Sequence, residues 1–369
     1  MQPVRINFGL VLTVIAGLAT ITSGEIRYKI IDLGNFPGND SSRAQGINAA
    51  GDVVGNASID GSQHAFLYKN GVLKDLGTFG GQRSYAFDIN DAGQIVGSTT
   101  TAAGVPYAYR YQNGAITNLG KFDAYRINNS GQVIGTFLFG TQPTRWHSVV
   151  YKDGQLIDLG TLGGNSAWVY GINDQGDIVG QSGTGTFNER DSEIYRGFVY
   201  RDGQMTSLGT LGGYDSLARD INNLGQISGW AKITTAFRPD FDTHPFLLNA
   251  VGDVMKDLDT VGCCTTDAVA INNLGQIVGY SDHLPGGDPH AFLYQNGQIG
   301  DLNFLIDPAS GWLLRGATDI NDSGQIVGYG RSPSGSEHAF LLTPVPEPAA
   351  ALHLVVAAAG LLSRRRRMR

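Results

Sequence analysis

The sequence predicts an all-β fold, a seven-bladed β-propeller built from four-stranded repeats of about 45 residues and closed by pairing of its first and last strands. Three observations carry this. The segment Ile47-Asn-Ala-Ala-Gly-Asp-Val-Val-Gly55 occurs seven times, its isoleucine returning at Ile89, Ile127, Ile172, Ile221, Ile271 and Ile320. Two-residue turn signals such as Asn70-Gly71, Asn113-Gly114, Asp153-Gly154, Asp202-Gly203 and Asn296-Gly297 separate apolar and aromatic runs. Glycine supplies 52 of the 369 residues, roughly twice its usual share, while charged residues make up only 16%, a turn-rich composition.

Within each repeat the elements follow in order. Asn at the first turn position and Gly at the fourth suit a type I turn, with Gly left-handed where the next strand begins. That strand ends on a further glycine, Gly55, Gly97, Gly135, Gly180, Gly229, Gly279 or Gly328. A third strand follows, His64-Ala-Phe-Leu-Tyr-Lys-Asn-Gly71, whose first position is Tyr107, His147, Arg196, His244, His290 and His338 in the other copies. The fourth carries Asp75-Leu-Gly77 and is matched at Asn118, Asp158, Ser207, Asp257 and Asp301. The seventh copy of that fourth strand is Asp32-Leu-Gly34, near the start of the chain. The runs Tyr28 to Leu33 and His338 to Leu342 are therefore two orphans, and pairing them completes the last blade and removes two exposed edges. A linear solenoid would leave both unpaired. No stretch between the ends holds a helical period.

The ends read as addresses. Arg5, the apolar stretch from Phe8 to Ala19 and the small residues Thr22-Ser23-Gly24 read as a secretory signal peptide over residues 1–24, the alternative being a first core strand. The repeats fill residues 25–344. Residues 345–369 hold Pro346-Glu347-Pro348, a 14-residue apolar run from Ala349 to Leu362, and the cluster Arg364, Arg365, Arg366 and Arg367. The run is short for a span of about 20 residues, and its basic flank orients it with the arginines on the cytoplasmic side.

The order of those three parts closely resembles the PEP-CTERM sorting signal of Gram-negative bacteria that make exopolysaccharide. The resemblance implies transient inner-membrane anchoring through the C-terminal helix, cutting by an exosortase-type processing enzyme near Pro346 to Pro348, and passage to the cell surface or extracellular matrix. A plain membrane anchor is the alternative. The His-Ala-Phe and Asp-Leu-Gly-Thr-Leu-Gly-Gly strings resemble the HAF repeat of exported bacterial proteins from about Asp32 to Leu342. The Trp-Asp and Gly-His marks of WD40 repeats are absent.

Composition excludes several functions. With 26 Lys and Arg against 33 Asp and Glu the net charge is -7, and the two ends hold more arginine than acid, so no basic surface exists for nucleic acid. Two adjacent cysteines, Cys263 and Cys264, exclude a disulfide scaffold and the usual zinc spacings, although an oxidising compartment would allow a strained vicinal disulfide. No nucleophile elbow, zinc-protease helix or phosphate loop is present, so no catalytic residue and no cofactor are expected. The string Asp88-Ile-Asn90-Asp91-Ala-Gly93, echoed at Asp319, lacks the fifth-position acid and the distal Glu of a calcium loop. The repeated histidines stand one per blade, too far apart for a shared metal, and read as hydrogen-bonding strand residues.

Positions that vary between repeats are more informative. Ala44, Ala86, Ala124, Ala218, Ala268 and Ala317, with Val169 in the fourth unit, suit a crowded innermost strand. Just before them stand Arg43, Tyr85, Asp123, Trp168, Leu217, Asp267 and Gly316, which would ring one mouth of the central channel. Arg43, Tyr85, Asp123, Trp168 and Asp267 are the candidate ligand residues, suited to a sugar or a peptide, against the alternative of ordinary loop variability. The long loops Gln181 to Tyr195 and Trp230 to Thr243 add to a binding face. The expectation is an exported, non-enzymatic propeller that binds or builds the cell surface or exopolysaccharide matrix, with a polysaccharide or surface protein as partner. The alternative is a propeller glycoside hydrolase or polysaccharide lyase using Asp123 and Asp267.

Overall fold

The computed structural model describes residues 28–36, 41–139, 145–233, 243–261, 265–282 and 287–345. The signal peptide, the sorting motif from Pro346 to Arg367 and the Cys263-Cys264 pair lie outside them. Among the described residues 28 strands form seven four-stranded antiparallel sheets. Blades 1 to 6 cover residues 42–77, 84–120, 123–158, 167–207, 216–257 and 266–301, their strands lying side by side in chain order. Blade 7 takes three strands from residues 313–344 and its outermost from Tyr28–Gly34, with Tyr28 opposite Pro344 and Ile31 opposite Leu341. The expected closure is thus formed by the two orphan strands. The first strands of successive blades touch all the way round and line the axis. Two short 3-10 turns, Leu302–Leu305 and Pro308–Ser310, bridge blades 6 and 7.

The hydrophobic core is divided. Seven apolar clusters each lie between two neighbouring sheets, as in Val54, Ala65, Ala86, Ile89 and Tyr109 between blades 1 and 2. Each blade is stable only with both neighbours present, the usual condition of a repeat that cannot cover its own faces.

One local device recurs in every blade. The innermost strand carries a β-bulge just after its small residue, between Ala44 and Gly46 in blade 1 and at the same place in the other six. Opposite that residue stands the glycine that ends the repeated turn segment. A Cβ there would lie 1.8 to 2.1 Å from a carbonyl oxygen of the inner strand, such as that of Trp168 over Gly180. Close backbone approach, not a positive φ, therefore requires these seven glycines. The aromatic ring of the His-Ala-Phe strand covers the glycine and is wholly buried, as in Phe66, Tyr109, Phe198, Phe246, Phe292 and Phe340. Blade 3 has the smaller Val149 in that place, and Phe122, just before its inner strand, fills the space over Gly135.

The turns form as the sequence predicts. Gly51 and its six counterparts take φ between 72 and 86°, each donating its N–H to the Asn carbonyl three residues back. The Asn-Gly and Asp-Gly hairpins have both residues at positive φ, 52 and 80° at Asn70 and Gly71, the type I′ geometry that matches strand twist.

The repeated Asn is more than a turn residue. Its Oδ1 accepts the N–H four residues on, closing its own turn, as from Asp52 to Asn48 at 2.9 Å. Its Nδ2 reaches the main-chain carbonyl of the equivalent Asn in the next blade: Asn48 to Asn90, Asn90 to Asn128, Asn128 to Asn173, Asn173 to Asn222, Asn222 to Asn272, Asn272 to Asn321, and Asn321 back to Asn48. These seven hydrogen bonds, 2.9 to 3.3 Å long, make a closed ring around the axis.

The repeated His behaves as the sequence suggests. Nδ1 of His64, His147, His244, His290 and His338 lies 2.6 to 3.0 Å from the carboxylate of Asp75, Asp158, Asp257, Asp301 and Asp32. Each Asp also accepts an N–H two residues on, as Gly77 donates to Asp75. In the two blades that lack the His, Tyr107 and Arg196 replace it and the Asp has become Asn118 and Ser207. The partners change together, which identifies the pair as one structural unit.

Asn272→Ala leaves the Asn321 carbonyl and the Gln276 N–H without their buried partner and is expected to cost about 2–4 kcal/mol. His64→Ala, at a half-exposed pair, is expected to cost less than about 1 kcal/mol. Urea unfolding of the two variants checks the ranking, and equal losses would reduce the Asn to a simple turn former.

Candidate functional site

The inner strands run from one channel mouth to the other, so every position along them forms a ring of seven. At one end lie the asparagine turns. The residue after each Asn forms a second, outer ring: Asp91, Asn129, Asp174, Asn223, Asn273 and Asp322 each accept the N–H of the equivalent residue in the preceding blade at 2.8 to 2.9 Å. Ala49 interrupts this ring. The carboxylate of Asp91 is thus held by Ala49 and Asn129 and forms no calcium loop. Among the described residues no group of three or more His, Cys, Asp and Glu could hold a metal ion.

One residue before each isoleucine, deeper in the channel, stand Gly46, Asp88, Arg126, Gly171, Asp220, Ala270 and Asp319. Each carboxylate clasps two N–H groups, one its own neighbour's and one from the next blade: Asp88 takes Ile89 and Ile127, Asp220 takes Ile221 and Ile271, Asp319 takes Ile320 and Ile47. Glycine in the preceding blade makes room for two of these carboxylates, since a Cβ on Gly171 would come within 2.8 Å of the Asp220 Cα and one on Gly46 within 3.0 Å of the Asp88 Cα. Arg126 is the single cation among the three. Burial pushes Asp88 up to about 6 and Asp220 up to about 7, against the pull of Arg126 and of their N–H donors. Asp319 is raised for the same reason. Burial works against the charge of Arg126, and the carboxylates of Asp88, Asp319 and Asp220 outweigh it, holding its pKa above the ordinary value.

The candidates from the sequence lie toward the opposite mouth, and the structure divides them. Arg43 is taken by Glu337 at 2.6 Å and lies over the Tyr329 ring at 4.5 Å. Asp267 is held by Arg219, with Nη2 at 2.6 Å and Nε at 3.0 Å from Oδ2, and that oxygen also accepts from Tyr280. Trp168 packs against Tyr195, 5.8 Å between ring centres. Leu217 is buried. Asp123 and Asp267 belong to blades 3 and 6 and are not brought together, and Asp267 is already neutralised.

Tyr85 and Asp123 do converge. They line one pocket of about 320 Å3 between blades 2 and 3, with Phe87, Tyr125, Ser98 and Arg83. Tyr85 and Phe87 present parallel rings 5.9 Å apart, tilted by 8°, and Tyr125 stands edge-on to Phe87 at 5.9 Å. Among the described residues the side chains of Asp123 and Arg83 make no hydrogen bond or ion pair, and the Ser98 hydroxyl is buried without a partner. A free carboxylate, a free guanidinium and an unpaired hydroxyl beside three aromatic rings suit a ligand with an apolar face and hydroxyl groups.

Sequence reading missed Phe87 and Tyr125. The signal was present, since residues two apart on a strand share a face and Phe87 follows Tyr85 by two. Ser98 lies across the ladder from Tyr85 on the second strand, and only the register places it there. The expected loop Gln181 to Tyr195 is a correction. It is mostly strand: Ile178–Phe187 pairs with Glu193–Arg201 as far as Phe187 opposite Glu193, leaving a short tip. Of the other loop, residues 234–242 lie outside the described residues.

No family model and no curated protein matches the chain. Among solved structures it is similar to TolB from Acinetobacter baumannii, with a TM-score of 0.44 and 10% identity, covering 84% of this chain and 65% of that one. The hydrazine synthase of Kuenenia stuttgartiensis gives 0.42 and 10% over 87% of this chain and 47% of that one. A fucoside complex of the Aleuria aurantia lectin gives 0.38 and 10% over 86% and 99%. The chain thus spans less than two thirds of the TolB chain and under half of the synthase chain. Likeness at this level carries no argument about function.

The buried carboxylates set a pH dependence. Asp88 and Asp220 titrate near 6 and 7 when folded and near 3.9 when unfolded, so the folded chain binds more protons in between. Their stabilising protonated forms are complete below about pH 4 and are lost as pH rises through 6 and 7. Stability is expected to fall between pH 5 and 8 by a few kcal/mol, and Asp220→Asn to flatten that slope. Melting temperature against pH for both proteins checks it, and identical slopes would remove Asp220 as the cause.

Proposed function

We propose that the protein is an exported, non-enzymatic propeller that binds saccharide in the Tyr85 pocket, serving the cell surface or exopolysaccharide matrix. The observation that carries this reading is the pairing of stacked Tyr85 and Phe87 rings with the free Asp123 carboxylate and the unpartnered Ser98 hydroxyl in one pocket. The C–H face of a pyranose packs on aromatic rings, and its hydroxyls donate to a carboxylate and accept from a serine. Leaving Ser98 unpaired costs free energy in the empty protein that a ligand would return.

Export rests on the sequence of the two ends, with exosortase-type processing at Pro346-Glu347-Pro348 and transient anchoring by Ala349 to Leu362. Among the described residues no helix is long and apolar enough to cross a membrane, and that apolar run lies outside them. A hydrolase or lyase is disfavoured by the ion pair that occupies Asp267.

Calorimetric titration with neutral and acidic bacterial exopolysaccharides, following polymer length in parallel, tests the reading. Saturable binding with unchanged length is expected, weakened at least about tenfold by Tyr85→Ala, equivalent to about 1.4 kcal/mol, and much less by Trp168→Ala. Shortening of the polymer would replace the binding reading with an enzymatic one. Binding insensitive to Tyr85→Ala would move the site elsewhere.

A further inference from the structure

We infer that a second site, at the asparagine end of the interface between blades 2 and 3, binds a sugar acid through Arg110 and Lys152. It does not rest on the aromatic pocket, which lies toward the other mouth.

The other blades carry different side chains at the first of these two positions, and the cations they carry at the second are paired. On the third strand the residue paired with the second residue of the second strand is Leu67, Val150, Val199, Leu247, Leu293 or Leu341 in six blades. All six pack in interblade apolar clusters. In blade 2 the residue in that register is Arg110, opposite Val96, and the cluster between blades 2 and 3 has no counterpart to those aliphatic chains. A cation thus replaces a methyl-bearing chain in a half-buried cleft. Among the described residues it makes no hydrogen bond, ion pair or ring contact. Its guanidinium points at the turn of blade 3, where a Cβ on Gly131 would stand 3.9 Å from Nη1.

Lys152 departs from its repeat in a matching way. The cations at the equivalent place in blades 1 and 4 are neutralised, Lys69 by Asp52 at 2.6 Å and Arg201 by Asp177 at 2.8 Å. In blade 3 that acid is Gln132, whose Oε1 is taken by Asn128, and Lys152 has no partner among the described residues. Arg110 and Lys152 line the same polar cavity of about 740 Å3. Two unpaired cations facing one cavity, on a chain of net charge -7, form an oxyanion site.

The rest of the lining narrows the ligand. Asp153 and Asp174 share the cavity, so a run of negative charges would be repelled and one oxyanion is matched. Gln94, Gln132, Ser130 and Gln175 surround it with amide and hydroxyl groups that suit a polyhydroxylated ring. A uronate and a sugar phosphate share this chemistry, an oxyanion on a hydroxylated ring.

The test is calorimetric titration of the full chain with glucuronate and with glucose 6-phosphate, with glucose and inorganic phosphate as controls. Saturable binding of at least one of the two acids is expected, with no binding of glucose. The acid that binds identifies the source of the oxyanion. Arg110→Leu and Lys152→Gln each install a residue that other blades carry at that place, so folding is expected to hold, and each should weaken binding at least tenfold. Arg110→Leu should also keep or raise the melting temperature, because the leucine joins the apolar cluster between blades 2 and 3 and an unpaired charge is removed, whereas loss of a structural arginine would lower it. Tyr85→Ala should leave this binding unchanged, which separates the site from the aromatic pocket. Absence of binding to both acids, binding unaffected by Arg110→Leu, or inorganic phosphate bound as tightly as glucose 6-phosphate would overturn the assignment.

Discussion

The structure depends on closing a ring with one amide per blade. Each repeated Asn side chain spends its oxygen on its own turn and its nitrogen on the next blade's turn, so one residue type serves both local folding and assembly. Because the bonds form a closed set of seven, no blade can shift along the axis without breaking two of them. The outer ring reinforces this, and so do the carboxylates of Asp88, Asp220 and Asp319, which reach over the same interfaces to the isoleucine N–H groups. Where a blade has Gly or Ala at that place, the clasp is absent, and the amide ring, the outer ring and the apolar cluster hold the interface without it.

The bulge and its facing glycine convert that rigidity into a variable channel. The glycine lets the two backbones approach so closely that the bulged residue and its neighbours turn toward the axis rather than into the sheet interface. Their identity is then free of packing demands, and this is where Tyr85, Phe87, Tyr125, Arg219 and Asp267 occur. Most of this freedom is used for internal pairing: Arg43 with Glu337, and Arg219 with Asp267. The pocket between blades 2 and 3 is where aromatic and polar groups meet without satisfying one another.

Repetition made the fold legible in the sequence, since seven copies of a turn, two glycines and an aromatic strand leave few arrangements, and two orphan strands specify the closure. The His residues were legible as structural for the same reason, and their Asp partners could have been found from the joint loss of both at Tyr107 with Asn118 and at Arg196 with Ser207. The interblade partner of each Asn was not legible, because it exists only once the ring has closed. The candidate site was half legible. A ring position could be read from the alanine beside it, but whether its side chain is free depends on partners 48 residues away, as for Asp267 and Arg219, and 294 away, as for Arg43 and Glu337.

Departures from the repeat carry different information according to whether a second departure answers them. Val149 is smaller than the aromatic in other blades, and Phe122, where others have Ser, Ala, Thr or Arg, restores the volume. Arg201 is answered by Asp177, and Lys69 by Asp52. Such pairs are neutral exchanges within a packing rule. Arg110, Lys152 and Ser98 are not answered: the first two bring charge and the third a buried hydroxyl, each without a partner among the described residues. An unanswered polar group in a half-buried cleft lowers stability, because its lost hydration is not replaced. All three line pockets between blades 2 and 3, two at one end of the interface and one toward the other. Buried polar atoms without a partner occur in other blades too, as at Ser148 and Ser228, but only here do they stand beside two unanswered cations and a set of aromatic rings in described pockets.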